Sequence, residues 1–200
     1  RYDSALTQYI RMLDQLDVAQ QDLSNVDQEL RDDTLRIMAV ILGHTRGHQA
    51  LAELLDRTQR HQYGELLYDR LASHYMEQLR YKEAADTADA FIARYPYHPE
   101  AARFSVRRIE ALEMANAPQL VWQEKERFVE AFGKQGEYWA RQTHETRSGI
   151  MPYLRTYLDE LGRLYYSRAQ QSQGGANYRR AAQYFSQYVR TFPNETGSAE

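Results

Sequence analysis

The sequence contains no cysteine, which excludes disulfide bonds and thiolate metal sites. Its longest apolar run, from Ile37 to Leu42, is six residues long and too short to span a bilayer. No segment concentrates positive charge, and 25 Lys and Arg nearly balance 28 Asp and Glu for a net charge of −3. A nucleic-acid-binding stripe is therefore not indicated. Alternating strand patterns do not extend beyond a few positions, so the sequence predicts an all-α protein.

The size and composition are those of a globular chain with a substantial core. Among 200 residues, 42% are hydrophobic and 26% are charged, which is ordinary for a soluble domain. The chain opens at Arg1 without an initiator Met or a signal-peptide pattern, and Tyr2, Ala5 and Tyr9 fit the second helix of a pair. We therefore expect a fragment of a longer protein.

Helical periodicity runs through the first 60 residues. Ser24 with Asp27 three positions later predicts a helix start. Gly43 and Gly47 then mark a turn, followed by a short return helix to about Thr58. The predicted apolar face of the helix that starts at Ser24 consists of Val26, Leu30, Leu35, Ile37, Met38, Ile41 and Leu42.

Two later stretches can be laid over each other. The first has Tyr68-x-x-Leu71-Ala72-x-x-Tyr75, then Tyr81-x-x-Ala84, Phe91 and Tyr95-Pro96. The second has Leu158-x-x-Leu161-Gly162-x-x-Tyr165, then Tyr178-x-x-Ala181, Phe185, Tyr188 and Phe192-Pro193. The first helix of the first stretch is predicted to carry Leu67, Leu71, Tyr75 and Leu79. Recurrence of large, small and aromatic residues at fixed offsets predicts a repeated helix–turn–helix unit of about 34 residues.

The segments between these units fit the same architecture less closely. From residue 98 to 133 the periodicity predicts another helix pair, with Pro118 in a first turn and Gly133 at a stop. Residues 136–148 are predicted to form a looser connection in which Trp139 is exposed. A long helix is then predicted from Ile150, with Pro152 in its first turn, to Gln170. Residues 171–177 are predicted to lengthen the following turn, an insertion that costs little free energy.

The offsets in the two matching stretches resemble those of the tetratricopeptide repeat family. This resemblance implies a right-handed α-solenoid of antiparallel helix pairs forming one domain over residues 1–200. Its repeats would be 1–20 (a half repeat), 24–60, 63–97, 98–133 and 150–193. The closing segment from Phe91 to Ala101 is similar to repeats of bacterial periplasmic and outer-membrane-associated proteins, including the lipoprotein of the outer-membrane β-barrel assembly machinery and periplasmic cell-division coordinators. The resemblance therefore implies a location in the periplasm or at the periplasmic face of the outer membrane.

The resemblance also implies where a partner binds. In the family, ligands lie in a concave groove lined by the first helix of each repeat, which suits a peptide or a helix of another protein. The residues themselves predict no catalytic site, cofactor or metal ion and no membrane span in this chain, and a lipid anchor, if present, would lie outside it. Carried over to this sequence, the groove residues are Asp69, Ser73, Met76, Glu77, Arg103, Arg107, Glu110, Asp159, Arg163 and Tyr166.

Other readings of the chemistry-bearing residues remain open. His44 and His48 have the spacing of two metal ligands on one helical face, but Gly43 and Gly47 argue against a continuous helix there. The carboxylates at Asp32-Asp33 and Glu124-x-Glu126 fit helical salt bridges better than acid–base catalysis. The tyrosines of the long helix could form a ligand-stacking platform or pack between repeats. A non-catalytic scaffold is the main hypothesis, and a cytosolic adaptor or regulatory module is the alternative.

Overall fold

The computed structural model describes residues 2–16, 24–172 and 175–193, and this part of the chain contains α-helices and no strand. The expectation of an all-α protein is thus confirmed for these residues. A single 3-10 turn, His61–Tyr63, precedes the fourth helix. The ten helices are α1 (Tyr2–Gln15), α2 (Asn25–Gly43), α3 (His48–Thr58), α4 (Gly64–Glu77), α5 (Tyr81–Arg94), α6 (Ala101–Met114), α7 (Pro118–Ala131), α8 (Glu137–Arg141), α9 (His144–Ser172) and α10 (Gly175–Thr191).

The helices belong to two compact units. The first unit comprises Arg1–Pro96 and Glu110–Asn116, and the second comprises Tyr97–Ile109 and Ala117–Glu200. Each unit has its own apolar core of side chains that are almost completely buried. In the first unit these include Leu13, Met38, Leu42, Leu51, Leu55, Leu67 and Phe91, and in the second Phe104, Phe128, Leu154, Leu158 and Leu161.

In the first unit, local sequence signals set the helix ends. The Ser24 hydroxyl accepts a hydrogen bond from the Asp27 backbone N–H, which confirms the predicted start of α2. Gly47 has a φ of +56° and forms the turn into α3. Helix α4 packs against α2 and α3, and a three-residue turn joins it to α5, with which it forms a helical hairpin.

Four residues that were predicted on the apolar helix faces of this unit are exposed instead. Val26, Leu30 and Ile37 lie on the exposed side of α2, where Val26 is 73% exposed, because the buried side is formed by Leu35, Met38, Ala39 and Leu42. Leu79 is not in α4: it lies in the turn after it with a φ of +58° and is 70% exposed. The left-handed residue ends the helix, because the Arg80 N–H can then bond back to the Tyr75 carbonyl at 2.8 Å.

In the second unit, the long helix starts earlier than predicted. Pro118 does open α7, and Phe132 and Gly133 follow its end. Helix α9, however, begins at His144 rather than Ile150, because the Thr143 hydroxyl caps it by accepting the Thr146 backbone N–H at 3.2 Å. Pro152 therefore lies inside the helix and not in its first turn.

The predicted loose segments are also more ordered than expected. Helix α8 occupies part of residues 136–148, and Trp139 is half-buried, with the Arg147 guanidinium 5.8 Å from its ring centre. Gln171 and Ser172 belong to α9, and α10 already begins at Gly175, so the predicted insertion is mostly helical. Residues 173–174 of that insertion lie outside the described residues, as do residues 17–20 of the predicted half repeat.

Candidate functional site

The four groove residues predicted on α4 are all accessible. Asp69, Ser73 and Met76 are half-buried and Glu77 is exposed, whereas Leu71 and Tyr75 on the opposite side are buried. The Glu77 carboxylate forms an ion pair with Arg70, with an N–O distance of 3.0 Å. This surface of α4 is therefore polar and carries both signs of charge, as a surface that holds a peptide would.

The other predicted groove residues lie on α6 and α9. Arg103 and Arg107 belong to the second unit, whereas Glu110, which is exposed, belongs to the first. Arg103 forms an ion pair with Glu100 and lies over the Phe104 ring at 5.4 Å.

The three groove residues predicted on α9 each have a defined neighbour. Arg163 pairs with Asp159 at 2.8 Å, one helical turn away. Tyr166, which is 48% exposed, contacts Tyr178 of α10 edge-on, with ring centres 6.1 Å apart. The predicted residues of α9 are thus accessible, and Asp159 and Arg163 are in direct contact.

The α4–α5 hairpin closes around a cluster of aromatic rings. Phe91 is fully buried and meets Tyr68 edge-on, with ring centres 5.7 Å apart, and Tyr95 at 5.2 Å. Burial raises the pKa of Tyr68 to about 12, so its hydroxyl stays protonated at neutral pH. Ala72 and Ala84 are also buried, with 3% and 1% of their surface exposed.

Tyr75 joins this hairpin to the turn between α2 and α3. A Cβ atom at Gly47 would come within 2.4 Å of the Tyr75 hydroxyl oxygen, so only glycine leaves room for the ring. The Arg80 guanidinium lies 4.6 Å from the centre of the Tyr75 ring and donates a hydrogen bond to the Gly43 carbonyl at 3.1 Å. These contacts fix the position of α4 and hence of its polar surface.

The α9–α10 hairpin is built around the matching tyrosine. Tyr165 stacks on Tyr184 of α10, with ring centres 5.7 Å apart, and donates a hydrogen bond to Glu126 of α7. Arg180 lies 4.4 Å from the Tyr165 ring centre and pairs with the same carboxylate at 3.3 Å. Burial, with the bond to Glu126, raises the pKa of Tyr165 to about 12. This cluster ties α7, α9 and α10 together.

A cleft of about 790 Å³ lies beside this cluster, between α7 and α10. Its walls combine acidic, basic and amide side chains, including Glu130, Arg179, Gln187 and Arg190. This cleft could not be predicted from sequence patterns, because α7 and α10 are more than 40 residues apart and are brought together by packing on α9. An open cleft of mixed charge suits a polar peptide side chain better than a buried small molecule.

Glu124, which was expected to form a salt bridge on a helix surface, is buried instead. Glu124 is 4% exposed and its carboxylate lies 3.2 Å from the guanidinium nitrogens of both Arg108 and Arg127. Lys125, 6% exposed, pairs with Glu160 at 2.8 Å. Because a buried charge must be paired, these groups are accounted for by packing within the second unit.

The histidine spacing does not place two imidazoles on one helix. His44 follows the end of α2 and His48 is the first residue of α3. Within the described residues, no group of three or more His, Cys, Asp or Glu side chains could hold a metal ion.

No helix within residues 2–16, 24–172 and 175–193 combines the length and apolarity needed to cross a membrane. Comparison with protein-family models, with curated proteins and with solved structures found no match.

Proposed function

We propose that this chain is a non-catalytic protein-interaction scaffold of tetratricopeptide type, a right-handed α-solenoid that holds a peptide or partner protein in a concave groove. The observation that carries the proposal is the repetition of one hairpin: Leu71 and Leu161 are fully buried at matching positions of α4 and α9, as are Ala84 and Ala181 of α5 and α10. The side-by-side packing of α2 and α4 supports stacked first helices.

The three buried tyrosines with strongly raised pKa values fit packed structural groups and supply no candidate for a catalytic acid or base. The pKa values of Tyr68, Tyr138 and Tyr165 are raised to about 12, in each case mainly by burial. A tyrosine with a raised pKa remains protonated at neutral pH and serves as a packed hydrogen-bonding group. A catalytic acid or base would instead need a pKa moved toward neutrality.

Photocrosslinking from α4 tests the proposed groove. A photoreactive residue replaces Glu77 in the full-length protein, and the matched control carries it at Lys82, an exposed residue of α5. We expect one or more proteins to be captured from Glu77 and from neighbouring Ser73 but not from Lys82, and capture to weaken when Asp69, on the same surface of α4, is replaced by Arg. Equal capture from Glu77 and Lys82 would contradict the groove.

The compartment belongs to the same proposal. We infer a location in the periplasm or at the periplasmic face of the outer membrane from the closing segments that end at Pro96 and Pro193. Fractionation of cells that express the full-length protein tests this, with protease added to spheroplasts. Degradation by external protease supports an envelope location, and full protection in the cytosolic fraction supports the adaptor or regulatory module instead.

A further inference from the structure

One side of α10, at the edge of its contact with α9, carries a partly exposed apolar stripe, which we define as Tyr178, Ala182, Phe185 and Val189. Their spacings of four, three and four residues put them on one helical face. Tyr178 is 44% exposed, Phe185 38% and Val189 46%, and Ala182 is exposed as well. An apolar row of this length on a helix is a common feature of surfaces that bind another helix.

The same face is covered in the other hairpin. Aligning Pro96 with Pro193 matches the α10 stripe to Tyr81, Ala85, Ala88 and Ile92 of α5. There Ala85 and Ala88 are 2% and 1% exposed, and Tyr81 and Ile92 are half-buried. The face is thus a packing face in one copy of the hairpin and open in the other.

Helix α9 holds two of the stripe's aromatic side chains in place. The Phe185 ring lies against Gly162, where an added Cβ would come within 2.6 Å of a ring carbon. Tyr178 meets Tyr166 edge-on. Because these rings are already held, a helix that docks on them loses less side-chain entropy than one that must order a mobile surface.

The charge around the stripe indicates what kind of helix it accepts. Residues 175–191 contain three arginines and no Asp or Glu. Arg180 pairs with Glu126, but neither Arg179 nor Arg190 pairs with a carboxylate in the described part of the chain. Arg179 adjoins Tyr178 and Arg190 adjoins Val189, so both ends of the stripe are bordered by positive charge.

We propose that the α10 stripe binds an amphipathic helix of a partner protein, with apolar residues in heptad spacing and acidic residues beside them. The apolar residues would cover Phe185 and Val189, and the carboxylates would pair with Arg179 and Arg190. This surface lies on the second helix of its hairpin, and its Tyr178 contacts the predicted groove residue Tyr166. The test is therefore made at Arg179, Val189 and Arg190, none of which is a predicted groove residue.

The test uses a synthetic helix of about three heptads, with Leu at a and d and Glu at e and g, cross-linked on its outward face so that it is helical before binding. Its affinity for the full chain is measured by fluorescence anisotropy, with a peptide of the same composition but a disrupted heptad as control. Val189→Glu is the main variant. Val26→Glu on α2, at an even more exposed valine, is the matched control.

We expect Val189→Glu to weaken binding about tenfold or more and Val26→Glu to leave it unchanged. The double variant Arg179→Glu/Arg190→Glu keeps the apolar stripe, and we expect it to weaken binding and to reduce the dependence of affinity on salt. Circular dichroism verifies that each variant keeps its helix content, and the double variant keeps the test decisive if Val189→Glu unfolds.

Three outcomes would overturn the proposal. The first is equal binding of the heptad and disrupted peptides, or no binding of either. The second is equal loss in the Val189 and Val26 variants, which would indicate nonspecific apolar adhesion. The third is self-association of the chain in sedimentation experiments that Val189→Glu abolishes, since the stripe would then serve a second copy rather than a partner helix.

Discussion

The hairpins α4–α5 and α9–α10 follow one sequence pattern but are stabilised from different directions. The Tyr75 ring contacts Arg80, whose guanidinium donates a hydrogen bond to the Gly43 carbonyl at the end of α2. The Tyr75 hydroxyl also occupies the space that a side chain at Gly47 would need. Tyr165, at the matching position, is in contact with Arg180, which pairs with a carboxylate of α7. In both hairpins an arginine on the tyrosine ring makes the link to a neighbouring helix, although the two arginines come from different positions. The arginine–tyrosine contact is thus common to both hairpins, but the arginine occupies a different sequence position in each.

The hairpins also exchange large and small residues. Ala72 and Ala88 of the first hairpin match Gly162 and Phe185 of the second, and the Phe185 ring occupies the space over Gly162. Relative to the first hairpin, the second is smaller by a methyl group at the α9 position and larger by an aromatic ring at the α10 position. The first hairpin is closed by Phe91, which is fully buried, whereas its match in α10, Tyr188, is only half-buried.

The largest expected difference between the hairpins comes from these two rings. Phe91→Ala should lower the free energy of unfolding by about 3–5 kcal/mol, because it empties a fully buried site between Tyr68 and Tyr95. Tyr188→Ala should cost about 1–3 kcal/mol, since part of the ring already contacts solvent. Urea denaturation measures both, and equal losses would show that the hairpins are equally packed.

The exchanged pair gives the second prediction. Gly162→Ala should lower the free energy of unfolding by about 1–3 kcal/mol, because the new methyl group must displace the Phe185 ring. Combining it with Phe185→Ala, which installs the pair found in the first hairpin, should make the new methyl group cost less than it does alone. A double-mutant cycle by thermal denaturation measures this coupling, and strict additivity would contradict the contact.

The smallest expected effect is a difference between the two hairpins in how pH changes the free energy of unfolding. His74 is 9% exposed, and burial lowers its pKa, with Arg70, Arg80 and His44 adding to the effect and Glu77 opposing it. The unfolded chain, with a His pKa of about 6.5, then binds a proton more readily than the folded chain. The contribution of the neutral, buried His74 to the free energy of unfolding is therefore present above a pH of about 6.5 and is lost as the pH falls below it.

The matching residue of α9 is Leu164, which does not titrate. His74→Leu should therefore lose less stability than the unmodified chain when the pH falls from about 7.5 to 5.5. The melting temperature of both proteins across this range measures the difference, with Leu164→Val as a control that changes no charge. Parallel curves for His74→Leu and the unmodified chain would mean that His74 titrates alike in the folded and unfolded states.

Local signals were sufficient for much of the helical pattern. The Ser24 cap, the proline at the start of α7 and the helix ends before Pro96 and Pro193 each follow from one or two residues. The start of α9 was misjudged because Pro152 is a stronger signal than the Thr143 cap. The side of α2 that is buried was misjudged because the helix has apolar residues on both sides, and periodicity alone cannot rank them.

The accessible surfaces could be predicted only in part. The residues expected on α4 are indeed accessible, since they lie opposite a buried row whose spacing is clear. The cleft between α7 and α10 and the burial of Glu124 depend on contacts between distant segments. The heptad spacing of the α10 stripe is visible in the sequence. The matching face of α5 has the same spacing, and only the exposed fractions of the side chains in the structure show that one face is open and the other covered.

The contact of Tyr75 with the turn at Gly47 determines what could be copied or transplanted as a module. The α4–α5 hairpin relies on Gly47, which lies 28 positions before Tyr75 in the turn into α3, and on the carbonyl of Gly43 at the end of α2. A gene duplication or graft that began at Gly64 would leave the Tyr75 hydroxyl and Arg80 without these counterparts. The smallest exchangeable module in this part of the chain therefore begins no later than Gly43.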